Sequence, residues 1–127
     1  MNEEAYNKLT RSVIGAAIEV HKQLGPGLLE AVYEECLISE LKERGHKVKS
    51  QLKLPIIYKG KELSKHFIID IIVDDKLIIE LKAVENILAV HEVQLVSYLK
   101  LSGMKLGLLI NFNETVLKNG IRRRINS

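Results

Sequence analysis

Apolar residues at the start of the chain recur at the spacing of one helix face. Within residues 3–24 they occupy positions 6, 9, 13, 16, 17, 20 and 24, which is the three- and four-residue spacing of an amphipathic helix. The Gly-Pro-Gly sequence at 25–27 interrupts this pattern. A second helical pattern runs from about residue 28 to 44, and Gly45 is placed to end it.

After Gly45 the pattern changes to that of strands. Residues 46–58 alternate between apolar and polar in their first half, and Lys-Gly-Lys at 59–61 has the composition of a turn. Two aliphatic runs follow, at residues 66–73 and 77–81, and each predicts a buried strand.

The C-terminal part of the chain contains one more helix and one more buried strand. The helical pattern extends from about residue 87 to 102 and stops at Gly103, and residues 105–112 form the next aliphatic run. Residues 120–125 fit either a short last strand or a tail.

The order of these elements predicts an α/β fold. Three strands joined by short turns favour an antiparallel meander. The strand, helix and strand that follow favour a right-handed crossover and one parallel pair. We therefore expect a mixed sheet flanked by helices, in a single domain that spans residues 1–127.

Three charged residues stand where this pattern predicts buried strands, namely Asp70, Glu80 and Lys82. The turn between the strands decides which of them share a face. A two-residue loop pairs residue 73 with 76 and puts Asp70 and Glu80 on opposite sides of the sheet. A three-residue loop pairs residue 73 with 77, so that Asp70 lies directly opposite Glu80 and Lys82 shares that face.

Two carboxylates that oppose each other repel, so the second register is unfavourable unless a cation lies between them. Carboxylate oxygens are the ligands that Mg²⁺ and Mn²⁺ prefer. The pair therefore indicates a metal site. The alternative, that one carboxylate faces solvent while the other pairs with Lys82, is equally compatible with the sequence.

The second helix carries a further carboxylate within its apolar arc. Glu30 falls between Tyr33, Leu37 and Leu41 on the helical wheel, and Glu34 lies at the edge of the same arc. A carboxylate on a buried face needs a partner, and a shared metal ion would be one. A helix cap or a pairing with a nearby lysine is the alternative.

Composition and charge add little to this picture. The chain is 46% hydrophobic and 28% charged, as in ordinary globular proteins. No apolar run reaches the roughly 18 residues of a membrane span, and no signal-peptide core is present, so we expect a cytoplasmic protein. The net charge of +3 permits a polyanionic partner. Arg122, Arg123 and Arg124 fit phosphate contact and a solvated tail equally well.

Asp70 and the Glu80-Leu81-Lys82 sequence resemble the D…(D/E)XK signature of the PD-(D/E)XK nuclease superfamily. Within it, GLLEAVY at 27–33 is similar to the G-x-x-E-x-x-Y element of a family of small prokaryotic proteins. QLVSY at 94–98 resembles the Q-h-x-x-Y motif of RecB-type exonuclease domains, and EVHKQLGPG at 19–27 also matches. The resemblance covers nearly the whole chain. It departs at Ile69, where the signature has proline.

The resemblance implies a restriction-endonuclease-like core with an extra N-terminal helix, and a nuclease that uses Mg²⁺ or Mn²⁺. It implies that Asp70 and Glu80 bind the metal, with Glu30 as the acid supplied by a helix and Leu81 contributing its carbonyl oxygen. It also implies that Lys82 orients the attacking water and stabilises charge on the phosphate.

Three further residues receive candidate roles. His21 fits the upstream histidine ligand of RecB-type sites, or equally a histidine behind the ligands or at a helix end. Gln94 and Tyr98 share one face of the third helix with His91. The resemblance implies that Gln94 and Tyr98 contact the nucleic-acid backbone or Lys82, whereas core packing is the alternative for Tyr98.

The expected function is that of a metal-dependent nuclease which hydrolyses phosphodiester bonds, with DNA as the expected substrate, although the sequence does not distinguish DNA from RNA. The chain is too short for a large DNA clamp, so a homodimer or a protein partner is expected to complete it. Two alternatives remain. One is a non-catalytic nucleic-acid-binding or accessory protein on the same fold, and the other is a protein-interaction module in which the apolar face of the first helix forms a dimer surface.

Overall fold

A computed structural model describes residues 2–126 and contains three α-helices. They are α1 (Glu3–Leu24), α2 (Glu30–Glu43) and α3 (Ala89–Ser102). The side chain of Asn2 accepts a hydrogen bond from the Ala5 backbone N–H over 2.8 Å and thereby caps α1. Gly103 ends α3 with φ of 74°, in the left-handed conformation that glycine adopts without strain. All three predicted helices are confirmed, with ends within two residues of those expected.

The strands form one five-stranded sheet in the order β1-β2-β3-β4-β5. They are β1 (Val48–Tyr58), β2 (Lys61–Val73), β3 (Leu77–Lys82), β4 (Leu106–Asn111) and β5 (Ile121–Ile125). The pair β3–β4 is parallel and the other neighbours are antiparallel. The mixed α/β sheet expected from the sequence is confirmed, and residues 121–125 form a strand rather than a tail.

Helices cover both faces of the sheet, because the strand residues alternate between two hydrophobic clusters. Leu77, Ile79 and Leu81 of β3 belong to the cluster that α1 and α2 bury. Ile78 points the other way, into the cluster formed with Leu95 of α3 and its neighbours. The central strands β3 and β4 are therefore buried on both faces, which explains their unbroken aliphatic sequences.

The turn between β2 and β3 contains three residues. Val73 pairs with Leu77 in the ladder, and the Lys76 backbone N–H donates to the Val73 carbonyl oxygen over 3.0 Å. Asp74 and Asp75 both have positive φ, of 53° and 55°, a conformation that aspartate tolerates better than most residues. The turn therefore sets the register that the sequence left open.

No helix within residues 2–126 is long and apolar enough to cross a membrane.

Gly107 of β4 gives a test of the packing between the sheet and α3. A Cβ atom at this position would lie 2.9 Å from Cδ1 of the fully buried Leu95. Gly107→Ala should therefore lower the free energy of unfolding by about 1–3 kcal/mol, measured by urea denaturation. The cost should shrink in a Leu95→Ala background, where the opposing atoms are gone. A cost that is unchanged in that background would contradict the proposed clash.

Candidate active site

The candidate site lies where the ladder between β2 and β3 ends. The last pair of that ladder is Ile71 with Ile79, whereas β3 remains paired with β4 up to Lys82 and Asn111. Asp70 and Glu80 are the next residues on the two strands. The three-residue turn thus places them opposite each other, as the second of the two predicted registers requires.

Each carboxylate hydrogen-bonds to the backbone of the opposite strand. The Asp70 backbone N–H donates to Glu80 Oε1 over 3.3 Å. The Leu81 backbone N–H donates to Asp70 Oδ2 over 2.8 Å. The two side chains therefore satisfy N–H groups that the ended ladder leaves without backbone acceptors.

Burial gives Glu80 an unusual proton affinity. The residue is only 5% exposed. Burial, reinforced by the negative charge of Asp70, raises its pKa to about 8. The pKa of Asp70 is also raised by burial, although the Leu81 N–H and the charge of Lys82 oppose the shift. Both groups thus resist ionisation unless a positive charge offsets their burial.

Glu30 contributes from the first turn of α2. Partial burial raises the pKa of its carboxyl group, the positive charge of Lys82 opposes the rise, and the charge of Asp70 adds to it. The residue as a whole is exposed. The expectation that Glu30 lies on the buried face of α2 is wrong, because it is the first helical residue and the covered arc begins at Tyr33.

A cleft of about 210 Å³ lies between α2 and the place where β2 and β3 stop pairing. It is lined by Glu30, Ala31, Glu34, Gln51, Asp70 and Leu81. Gln51 Nε2 donates to Glu34 Oε1 over 2.7 Å, which ties β1 to α2. Gln51 is not predicted by the sequence, because a polar residue in an alternating strand carries no distinguishing signal. Its positive φ of 52° is strained for a non-glycine residue, a feature that recurs at functional sites.

Asn111 is a second residue near the site that the sequence does not predict. It is fully buried. Its Oδ1 accepts from the Val84 backbone N–H over 3.0 Å, and its Nδ2 donates to the Val84 carbonyl oxygen over 2.9 Å. The Phe112 backbone N–H also donates to the Lys82 carbonyl oxygen over 2.9 Å. These bonds fix the segment that carries Lys82. The one available signal was a polar residue at the end of an aliphatic run.

Tyr98 packs in the hydrophobic core beside the acidic pair. It is buried in the α3 cluster, where its ring lies 5.2 Å from that of Phe67. Burial and the nearby charges of Glu80 and Asp70 raise the pKa of its hydroxyl to about 12. Gln94 is half-buried one turn earlier on α3. Core packing of Tyr98 is therefore observed, beside the acidic pair, and nucleic-acid contact by Gln94 and Tyr98 stays a prediction.

His21 makes its described contacts with the segment after β4. Its Nε2 lies 2.7 Å from the Glu114 carbonyl oxygen, and its ring centroid is 6.5 Å from that of Phe112. His21 thus has a partner at the C-terminal end of α1. Its predicted role as a metal ligand stays a prediction.

The three C-terminal arginines lie on β5 and are half-buried. Arg122 donates to the carbonyl oxygens of Asn119 and Ile121, and Arg124 pairs with Glu92 of α3. The Nε and Nη2 atoms of Arg123 are buried without a hydrogen-bond partner. These residues therefore belong to the sheet edge rather than to a tail, and nucleic-acid contact by them stays a prediction.

The carboxylates of the site are ligands that suit a divalent cation, but their side chains lie too far apart to enclose one. In the part of the chain that is described, residues 2–126, no three His, Cys, Asp or Glu side chains are clustered closely enough to enclose a metal ion. The Asp70 and Glu80 carboxylates are instead engaged with backbone N–H groups. Two adjacent carboxyl groups with raised pKa values still fit a hard cation, which would favour their ionised forms.

The pKa of Glu80 predicts a pH-dependent stability. Folded Glu80 keeps its proton up to about pH 8, whereas the ordinary pKa of a glutamate side chain is 4.5. Between these values the folded state binds more protons than the unfolded chain, so the free energy of unfolding falls as pH rises. Glu80→Gln should remove this dependence, which amounts to roughly 4–5 kcal/mol at most. Urea denaturation in EDTA at about pH 5 and about pH 8.5 measures it.

The exposed Glu85 provides the matched control. Glu85→Gln should retain the pH dependence of the wild type. Identical slopes for wild type and Glu80→Gln would contradict the assigned proton.

Comparison with known proteins agrees with this geometry. The sequence model that describes the PD-(D/E)XK nuclease superfamily matches residues 7–124. None of the curated proteins and none of the solved structures matches the chain significantly. The narrower G-x-x-E-x-x-Y family stays a prediction. Since the match spans almost the whole chain and includes the opposed acidic pair and its lysine, the protein belongs to the PD-(D/E)XK nuclease superfamily.

Proposed function

We propose that the protein is a metal-dependent nuclease that hydrolyses phosphodiester bonds in DNA. The observation that carries the proposal is the end of the β2–β3 ladder, where Asp70 and Glu80 face each other beside Lys82. Members of this superfamily commonly hydrolyse such bonds with divalent metals. The raised pKa of Glu80 supports a cation at this place, because burial of the acidic pair is costly without one.

Asp70 and Glu80 would hold Mg²⁺ or Mn²⁺, with Glu30 and the Leu81 carbonyl oxygen completing the ligand set from the chain. When bound, the ion would polarise the scissile phosphate and lower the pKa of a water molecule. For this the two strand carboxylates would exchange their hydrogen bonds to Leu81 and Asp70 N–H for the ion. His21 is a further candidate ligand.

Lys82 would act on the water and the phosphate. Its positive charge opposes the rise in the pKa of Glu30, Asp70 and Glu80 alike, so it lies within electrostatic reach of all three. An ammonium group at this point would orient the attacking water and stabilise the charge that develops on the phosphate. The buried Asn111, which hydrogen-bonds to the Val84 backbone, would hold the segment after Lys82 in place.

The remaining polar groups near the site would bind the nucleic-acid backbone without regard to sequence. Gln94 and Tyr98 are the candidates on α3, and Arg122, Arg123 and Arg124 are those on β5. Leu88 at the N-cap of α3 and Val93 within the helix expose apolar side chains, which a second copy of the chain or a protein partner would cover.

Cleavage of supercoiled plasmid in Mg²⁺ or Mn²⁺ tests the proposal. Asp70→Asn, Glu80→Gln and Lys82→Ala should each lower the rate roughly 1000-fold, because each removes transition-state stabilisation of several kcal/mol. The gel assay should also show no cleavage by the wild type in EDTA.

Two exposed residues serve as matched controls for the change of charge. Glu85→Gln and Lys100→Ala should cleave at the wild-type rate. Equal cleavage by wild type and Glu80→Gln would point to a contaminating nuclease and refute the proposal. Salt-sensitive DNA binding without cleavage in either metal would favour the non-catalytic alternative.

Metal binding can be measured without turnover. Because Glu80 is largely protonated at pH 7, binding of Mg²⁺ or Mn²⁺ should release a proton, and the affinity should rise up to about pH 8. Calorimetry in two buffers of different ionisation enthalpy measures the released proton. Glu80→Gln should release none, and Glu85→Gln should behave as wild type. Metal binding by wild type without proton release would exclude Glu80 as a ligand.

A further inference from the structure

A serine, a histidine and an aspartate form a hydrogen-bonded relay at the opposite end of the β2–β3 hairpin. The Ser12 Oγ of α1 lies 2.6 Å from His46 Nε2. The other ring nitrogen, Nδ1, lies 2.7 Å from Asp74 Oδ2 in the turn before β3. These residues come from three separate segments, and the candidate nuclease site uses none of them.

The contacts of Asp74 fix the roles of the two histidine nitrogens. Burial of the Asp74 carboxyl opposes its ionisation, but the hydrogen bonds from His46 and from the Lys47 backbone N–H outweigh this effect and lower its pKa. An ionised carboxylate only accepts hydrogen bonds, so His46 Nδ1 carries the proton. In neutral His46, Nε2 is then the acceptor, and the Ser12 hydroxyl donates to it.

In this arrangement His46 is placed to act as a general base towards Ser12. A histidine that accepts the serine proton and is oriented by a carboxylate is the arrangement that activates serine nucleophiles on unrelated folds. The relay is recognised by its geometry and by the roles of its groups, not by the order of residues along the chain. Here Ser12 precedes His46, which precedes Asp74.

The relay opens onto a cavity of about 430 Å³. Its lining includes Ser12, His46 and Asp74 together with three cationic side chains, Lys8, Arg44 and Lys76. Asp74 is the one acidic residue among the described residues of this lining, and its carboxylate already accepts hydrogen bonds from His46 and from the Lys47 backbone N–H. A Cβ on Gly15, one turn beyond Ser12, would lie 3.1 Å from Arg44 Nη1, so the guanidinium lies against α1 beside the serine.

We propose that this cavity is a second reactive site, in which Ser12 attacks small esters that carry a carboxylate. The cationic rim fits the negative charge of such a substrate. The same cations would stabilise the oxyanion that forms on the attacked carbonyl. The backbone N–H groups around Ser12 are used within α1, so side chains must supply this stabilisation.

The reaction balances with water as the co-reactant. Ser12 Oγ bonds to the carbonyl carbon while its proton passes to His46 Nε2, and the ester C–O bond breaks as the leaving alkoxide takes that proton. Water then attacks the acyl-serine, gives a proton to His46, and releases the carboxylic acid as Ser12 regains its proton.

The experiment uses the full chain in EDTA, so that metal at the acidic pair cannot contribute. The probes are mono-4-nitrophenyl succinate and 4-nitrophenyl acetate, with release of 4-nitrophenolate as the readout. The wild type should react faster with the anionic ester, and the preference should fall with added salt. Ser12→Ala should abolish the reaction above background, and His46→Gln should slow it roughly 100-fold.

Peptide mapping of a fluorophosphonate-labelled sample identifies the nucleophile. The label should lie on Ser12 and be absent from Ser12→Ala, whereas Ser39→Ala, at an exposed serine on α2, should be labelled as wild type. Asp70→Asn should keep the label while it loses DNA cleavage, so this site and the nuclease site fail independently.

Three outcomes would overturn the proposal. Labelling of wild type and Ser12→Ala to the same extent would show that the relay only tethers α1 to the turn. A folded wild type without label, verified by its urea transition, would show the same. Equal rates for the two esters would remove the assigned role of Lys8, Arg44 and Lys76.

Discussion

The candidate nuclease site depends on the point at which the hydrogen-bonded ladder between β2 and β3 stops. Beyond Ile71 and Ile79 the strands no longer pair, while β3 stays paired with β4. Buried backbone N–H groups need hydrogen-bond acceptors, including those at the place where two strands separate. Asp70 and Glu80 supply them and are thereby held opposite each other. One local feature therefore satisfies the backbone and concentrates acidic groups at one place.

Placing these two acidic groups together destabilises the folded protein when no cation is bound. Burial raises the pKa values of both strand carboxyls, and the negative charge of Asp70 adds to the rise at Glu80. The site therefore stores an electrostatic cost that a proton or a cation relieves. The surroundings are correspondingly rigid. The buried Asn111 fixes the segment after Lys82, and the packed aliphatic residues of β3 and β4 leave the charged groups little freedom to move apart.

The same hairpin bears different chemistry at its two ends. The open end holds the acidic pair, and the closed end is a turn whose Asp74 orients His46 towards Ser12. Asp74 and Asp75 adopt positive φ, which makes the three-residue turn possible. The turn that presents Asp74 to His46 is thus also the turn that sets Asp70 against Glu80.

The sequence by itself determined the helices, the strands, the mixed sheet and the aspartate, glutamate and lysine of the candidate site. These follow from local periodicity and from charges that break an aliphatic pattern. The tertiary structure decided the register of β2 against β3, because two turn lengths fit the same residues. It also decided the exposure of Glu30, the contacts of Gln51 and Asn111, and the relay from Ser12 to Asp74. Those depend on segments far apart in the chain, whose contacts no local pattern encodes.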